Sequence, residues 1–501
     1  MIDRNVSSHN AQEHETCRLE ACLDACREHF NHVLSDVISN QHQDAHQVEA
    51  SLFKQLMKLG FLLLTLFFAN HHGGDYGETM ETDRGLATRG RPSERSYFSI
   101  FGKLKVRRYL YVVDTTSFAP LDMLLNLPAR CYSYFLAERV NLLTIQDAYE
   151  EAVHLLQRIF DLTLSVSAAE TISQQSADHY DAYYAYKQTL PSIAKEEDYT
   201  VVSFDGKGVP MTKKEAAKIK ARLGTGEKRQ KKKEALVAVT YTINAHHRTA
   251  PEVAGNLVFP EQQEATSPSP PRAQHLRYLA SVARSKRQVM GEIKRAVQAE
   301  HVDDTPLICV MDGAKSLWTA FQDTFKDIKN KVMILDIIHV LEYIWLMANM
   351  KYKKEGAQAK SYVYEKLTLI LQGKVASYIL ELQNELLSGT WKKSQKETFD
   401  KVITYLKNHK QYMKYDVYLS KGYPIGSGVV ESACSHVVKN RMEVPGARWS
   451  VSGAEAILRL RSVAKSQDWD EYWAFYTTNA QNDAYFPQTH NPLNLQHKMP
   501  A

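Results

Sequence analysis

Three acidic side chains stand where a chain can offer them to a ligand. Asp205 closes the apolar run YTVVSF before Gly206, and Asp312 closes LICVM before Gly313, so each carboxylate should emerge at a strand end where the backbone leaves room. Glu431 sits where the turn GYPIGSG (422–428) runs into a helix. On that helix Val429, Val430, Ala433, Cys434, Val437 and Val438 recur at offsets 0, 1, 4, 5, 8 and 9, one apolar stripe facing a core. Glu431 lies off the stripe, with Ser435 and Lys439 four and eight residues on, so carboxylate, hydroxyl and ammonium should share a face. A lone Glu so placed ordinarily faces solvent. Three carboxylates meeting at a sheet edge, however, repel one another unless cations neutralise them, and hard oxygen donors select Mg²⁺ or Mn²⁺. The matching chemistry is two-metal phosphoryl transfer, with ions ~3.5–4 Å apart, one activating a water or a 3′-hydroxyl and the other stabilising the leaving oxygen.

The rest of the chain narrows the choice. Its net charge is +5, but residues 213–233 hold ten Lys or Arg (Lys213, Lys214, Lys218, Lys220, Arg222, Lys228, Arg229, Lys231, Lys232, Lys233) against Glu215 and Glu227. That segment is therefore +8 and the remainder −3, which points to a polyanion, and its Lys and Gly content favours a mobile loop. A glycosidase would leave this segment without a role. Walker and Gly-x-Gly-x-x-Gly patterns are absent, which argues against nucleotide chemistry. Just past the Glu431 helix, Arg448 can contact phosphate, while Trp449 either packs in the core or stacks on a base.

The elements that must position these groups follow in order. At 501 residues, roughly two to four units are expected. Residues 10–70 read as helices, with an apolar seam at Leu19, Leu23, Cys26, Phe30, Val33 and Val37 that could pair protomers or pack at home. The run LGFLLLTLFF (59–68) is short of the ~20 residues a spanning helix needs and reads as a buried core helix. His14, Cys17, Cys22, Cys26, His29 and His32 include zinc-ligand types, but not at the spacing of a ribbon or finger; small core thiols are the plainer reading. Six cysteines and no signal peptide suggest a cytosolic protein with reduced thiols. His71–Ser96 reads as a linker, and 97–113 as a hairpin with a basic face. Two helical patterns at 144–160 and 167–188, the second started by a capping box at Ser167 and Glu170, suit either a helix-turn-helix or plain packing, though the second carries few Lys or Arg. Beyond them, 199–208, 235–246, 253–259, 306–314 and 332–336 read as strands, 273–300 as a long helix, and 350–420 as helical.

The order strand-Asp205, two strands, helix, strand-Asp312, strand, helical insertion, helix-Glu431 resembles the ribonuclease-H-like core of DDE transposases. More narrowly, SFDGKG, CVMDGAKSLW, ILDIIHVLEYIW, GYPIGSGVVESACSHVVKNRME and GARWS resemble the ISKra family of bacterial insertion-sequence transposases, akin to the Mutator superfamily, over about residues 97–475. The resemblance implies an α/β fold with a mixed sheet, a ribonuclease-H-like core and a helical insertion, and the helical pattern of residues 10–70 adds a mainly helical N-terminal region. It implies that Asp205, Asp312 and Glu431 are catalytic ligands of two Mg²⁺ or Mn²⁺ ions. Asp336 and His339 match an Asp-x-x-His signature and would support the site; on the sequence alone, His339 is equally a satisfied core histidine. The implied units are an N-terminal helical region (1–75), a linker and hairpin (76–135), a helical DNA-binding domain (136–195), the catalytic domain (196–349 with 421–465), the insertion (350–420) and a tail (466–501). The implied partners are double-stranded DNA, both the terminal inverted repeats of the element and target DNA, with homo-oligomers forming on it. Strand cleavage and strand transfer in the bacterial cytoplasm is the expected function. A catalytically silent DNA-binding descendant, or a structure-selective nuclease on the same core, is the alternative.

Overall fold

The computed structural model describes residues 5–191, 196–219, 231–262, 270–300, 305–354 and 356–485, with side chains from Arg18 onward. The chain divides into two compact units, Met1–His179 with Asp470–Ala501, and Tyr180–Trp469. The fold is mixed α/β, built on two β-sheets.

In the first unit, helices Asn5–Ser39 and Ala45–Ala69 pack on each other. The expected seam is only half used: Cys26 and Val33 are buried, whereas Phe30 and Val37 are exposed. The candidate ligands there do not gather. His29 Nε2 lies 3.0 Å from the Gln55 carbonyl and His32 Nδ1 3.2 Å from Asp36, Cys22 and Cys26 are free, and the side chains of His14 and Cys17 lie outside the described residues. The run 59–68 is not a buried core helix. It belongs to Ala45–Ala69, where Phe68 is the buried residue while Leu56, Leu63 and Phe67 stay exposed, and this helix is long and apolar enough to cross a membrane by length and composition.

Most of the expected linker folds instead as β-strands. Strands β1 (Thr79–Thr82), β2 (Gly85–Ser99), β3 (Gly102–Val113) and β4 (Thr116–Phe118) form an antiparallel meander in that order. Gly85 and Gly102, at φ +116° and +125°, make the turns between strands, and a polar, Gly-rich composition conceals the strands they join. Alternation on β3 buries Leu104 and Val106 against Phe68 and Leu121 and leaves Lys103 and Lys105 exposed. Beyond the meander, helix Val166–Ser176 is capped by Ser165, which accepts from Ala168 N–H, and not by Ser167. It buries Ile172, Ser173 and Ser176 against helix Tyr134–Thr144 through Asn141–Ser176 (2.9 Å) and Thr144–Ser173 (3.1 Å) bonds.

The second unit is built on a five-stranded sheet of β5 (Tyr199–Pro210), β6 (Lys232–Ile243), β7 (Gln274–Ser281), β8 (Leu307–Met311) and β9 (Lys331–Leu335), in the order β7-β6-β5-β8-β9. β5, β8 and β9 run parallel, while β6 is antiparallel to both of its neighbours. All five residues of β8 are buried, as a continuous apolar run demands of a strand covered on both faces. Two expectations exchange places here. VAGNLVF lies in helix Ala250–Val258, because Thr249 and Glu252 form a capping box and Pro251 sits in the first turn. HLRYLAS is β7, and the helix expected from 273 begins at Lys286. The outer edge of β7 is covered by helix Val451–Lys465: Tyr278 and Ala280 N–H donate to Ser466 and Ser462, and Val282 N–H to buried Glu455. Segment 350–420 holds helices Ala357–Leu371, Val375–Ser388, Lys393–His409 and Tyr415–Ser420, with no strand among its described residues.

Candidate metal centre

Register builds the site. Phe204, Met311 and Leu335 are partners across β5, β8 and β9, so the next residue on each chain falls in one further row: Asp205, Asp312 and Asp336. Neighbouring strands lie about 4.8 Å apart, which places three aspartates side by side at the end of the parallel pairing. Asp205 does not close its strand, as expected from sequence, because β5 continues to Pro210 paired with β6 alone. Asp205 marks instead the point where β8 leaves.

Each carboxylate is held differently. Asp205 Oδ1 accepts Gly206 N–H at 2.6 Å, and its Oδ2 accepts the Cys434 thiol at 3.2 Å. Asp312 Oδ1 accepts Ala314 N–H at 3.0 Å. Asp336 is wholly buried (0% exposed) and caps helix Ile337–Lys351, its Oδ1 accepting Ile338 N–H at 3.0 Å and Ser427 N–H at 3.2 Å. Ser427 Oγ lies 2.6 Å from Asp336 Oδ2 and 2.8 Å from Glu431 Oε1. A hydroxyl has one proton to give, so one of these two contacts sets oxygen lone pairs against each other unless a further proton or cation intervenes.

Glu431 reaches this point through the turn before it. Gly422 holds φ +75° where a Cβ would meet His246 N at 2.7 Å, and Ile337 N–H donates to the Ile425 carbonyl at 2.9 Å, which lays the turn along the start of the Ile337–Lys351 helix. Ser427 then opens helix Gly428–Ala433. The apolar stripe is as read: Val430, Ala433, Cys434, Val437 and Val438 are buried. Glu431, Ser435 and Lys439 are all exposed opposite that stripe, although residues 434–439 form a π-helical turn.

The tightest group of possible ligand atoms, all within 4.8 Å of one another, is Asp336, His339 and Glu431, and it could hold a metal ion. Two of these, Asp336 and His339, the family resemblance casts as supports. His339 Nε2 lies 4.0 Å from Asp336 Oδ2 and its Nδ1 3.3 Å from Glu342. Burial pulls the His339 imidazole down, but Asp336, Glu342 and Asp312 outweigh it and raise its pKa above the ordinary value. Burial, together with the Asp312 charge, lifts Asp205 against its hydrogen bonds from Cys434 and Gly206, and burial lifts Asp336 against those from Ser427 and Ile338. No Lys or Arg among the described residues forms an ion pair with Asp205, Asp312, Asp336 or Glu431.

The candidate DNA contacts scatter. Trp449 is 6% exposed, its indole donates to the Met442 carbonyl at 3.0 Å, and its ring lies 4.7 Å from the Arg441 guanidinium. It therefore cannot stack on a base. Its backbone bonds to Pro210 and Thr212 instead staple the end of β5 to the chain beyond Glu431. Arg448 and Lys439 are both exposed. The basic segment is ordered at both ends, contrary to the expectation of a mobile loop there. Lys213, Lys214 and Lys218 lie on a short helix capped by Thr212, with Lys218 paired to Glu215 at 3.0 Å, and Lys232 and Lys233 belong to β6, with Lys231 exposed just before it. Lys232 pairs with Glu443. Lys220, Arg222, Lys228 and Arg229 lie outside the described residues. Sequence reading missed Ser427 and Cys434; the only signal for Ser427 was a serine four residues before a glutamate at a helix start.

No protein-family model matches this chain, and no curated protein matches it.

Proposed function

We propose that the chain is a DDE-type transposase, a ribonuclease-H-like phosphoryl-transfer enzyme that binds the ends of its own insertion sequence, cleaves there and joins the freed 3′ ends to target DNA. The observation that carries the reading is the row Asp205–Asp312–Asp336 across three parallel strands, with Glu431 joined to it through one serine hydroxyl. Four carboxyl groups and an imidazole, with no ion pair to a lysine or arginine among the described residues, suit a centre that takes its positive charge from outside. Asp205, Asp312 and Glu431 would hold two Mg²⁺ or Mn²⁺ ions, which supply activation of a water or 3′-hydroxyl and stabilisation of the leaving oxygen. Ser427 fixes the distance between Glu431 and Asp336, and Cys434 orients Asp205. Lys213, Lys214, Lys231, Lys439 and Arg448 would grip phosphates without reading sequence. In the second unit β5, β6, β7, helix Lys286–Glu300, β8, β9, the helical insertion and the Glu431 helix follow one another with helices Lys213–Lys218, Ala250–Val258 and Lys315–Thr324 interposed between strands, an order compatible with the reading.

The test is turnover. With Mg²⁺ or Mn²⁺ and a duplex ending in the element's terminal repeat, the protein should nick at the 3′ end and then join it to a second duplex. Nicking without joining indicates a nuclease on the same core; binding without nicking indicates a silent descendant.

A further inference from the structure

The first unit leaves one side of its helical hairpin bare. On helix Asn5–Ser39, Phe30, Leu34, Val37 and Ile38 recur at offsets 0, 4, 7 and 8 and are 46–70% exposed. On helix Ala45–Ala69, Phe53, Leu56, Leu63 and Phe67 recur at offsets 0, 3, 10 and 14 and are 45–56% exposed. The step missing from the second series is Gly60. A Cβ there would fall 2.5 Å from the Phe101 ring, so an aromatic from the turn between β2 and β3 closes the row, itself 39% exposed.

The two stripes share a side. His29 Nε2, 3.0 Å from the Gln55 carbonyl, sets the helices side by side and antiparallel about the short turn that joins them. Counting about 100° per residue, each stripe lies roughly a quarter-turn past the side that meets the other helix, marked by Cys26 and Val33 on the first and by Gln55 on the second. In antiparallel neighbours the same sense of rotation leads to the same side. The opposite flank of the second helix carries exposed Lys54 and Lys58, so the hairpin is apolar on one side and polar on the other.

Contiguous apolar surface of this kind is rare on a protein that stays alone in water. Taking ~200 Å² for a bare Phe or Leu, eight residues near half exposure offer ~800 Å², what each partner contributes to an interface of standard size. A lipid bilayer is the poorer occupant. Helix Ala45–Ala69 is long and apolar enough to cross one, but Phe61, Leu64 and Phe68 are engaged with the meander. The bare face also continues onto a helix that carries Asp24, Arg27, Glu28 and Asp36, charges a bilayer would have to take in. A second copy meets every requirement. Both stripes keep the three-and-four spacing of helices packed at a shallow angle, and two antiparallel helices laid on two more make a four-helix bundle. Such a face complements its own copy turned about a two-fold axis.

We propose that two copies of this chain pair through this face in the absence of nucleic acid, burying Phe30, Leu34, Leu56 and Phe67 in a four-helix bundle. The pairing stands on the bare face and not on the phosphoryl-transfer reading. If that reading holds, two centres are joined in one particle before any DNA is bound.

Sedimentation equilibrium of the full-length protein without DNA tests it. At about 10 µM the wild type should have the mass of a dimer, since interfaces of this size hold at micromolar concentrations or below. Leu34→Glu combined with Leu56→Glu should raise the dissociation constant about a hundredfold or more, while far-UV circular dichroism stays unchanged because both positions are exposed in the single copy. Lys54→Glu with Lys58→Glu, on the polar flank, should remain dimeric. If the first variant loses helical signal, Ile38→Gln with Phe67→Gln carries the same test. A wild type that sediments as a monomer overturns the inference, and one that also floats with phosphatidylcholine vesicles assigns the face to a membrane. A dimer that persists unweakened in the Leu34 and Leu56 variant overturns it too, because the copies would then meet elsewhere.

Discussion

Two buried aspartates, one in each unit, have opposite surroundings. Asp122, 4% exposed under the antiparallel meander, is gripped by Arg95 at 2.8 Å and by Arg108. Asp336, 0% exposed at the end of β9, meets a serine hydroxyl and two backbone N–H groups, with a histidine 4.0 Å away. Both burials cost desolvation, but only the first is offset by fixed cations of the chain itself. The first arrangement is neutralised by the chain's own arginines and holds a fold together. The second is left short of charge, which is of no use to stability and of considerable use to a site that binds cations.

The sharpest way to break this contrast is through turnover. Glu431→Gln, Asp205→Asn and Asp312→Asn should each lower nicking about a thousandfold or more, some 4 kcal/mol, while leaving DNA binding in place. The losses should not add in double variants, because each disables one unit. A Glu431→Gln protein cleaving near the wild-type rate would remove these residues from the chemistry. Next in size is Asp122→Ala, expected to destabilise by about 3 kcal/mol or more in urea unfolding, since it strands two arginines, with no specific effect on cleavage. A neutral Asp122→Ala would erase the difference between the two sites.

His339→Ala should cost about tenfold to a hundredfold in rate and leave measurable activity, as befits a group that orients a carboxylate or water. Loss equal to that of Asp312→Asn would make it a ligand in its own right, which its place with Asp336 and Glu431 allows. Replacing Lys231, Lys232 and Lys233 together with Ala should weaken binding to all duplexes alike and flatten the salt dependence by about 2 units of log slope. The pairing of Lys232 with Glu443 lowers its share of that effect. An unchanged slope would place the DNA elsewhere.

The smallest effect is the dependence of stability on pH. Burial raises Asp205 and Asp336 above their ordinary 3.8. An acid whose folded pKa is raised binds more protons folded than unfolded in the interval above 3.8, so its contribution is present below that value and lost as pH rises through the folded pKa. Without divalent metal, the stability of Asp205→Asn relative to wild type should therefore grow from about pH 4 to pH 7, and Mn²⁺ should reverse it.

What the sequence disclosed and what it hid divide along physical lines. Asp312 was legible because a run of five apolar residues ending in Asp-Gly has few other interpretations, and the Glu431 helix because its stripe keeps a strict helical period. The row of three aspartates was not legible as a row, since it depends on register between strands whose aspartates stand 107 and 24 residues apart along the chain. VAGNLVF misled because a short apolar run fits strand and helix alike, although Thr249 and Glu252 held the deciding signal. Trp449 was left open between base and core, and long-range bonds to Pro210 and Thr212 put it in the core.

The bond between Cys434 and Asp205 joins residues 229 positions apart. During synthesis, at roughly 5 to 20 residues per second, the first aspartate leaves the ribosome some 10 to 45 s before the helix that orients it. On the proposed transposase function, a growing chain would until then have its basic segment without a finished centre, able to hold DNA but not to cut it. On the same proposal, a protein truncated by a premature stop before Glu431 would occupy the ends that a full-length copy needs and act as its competitor.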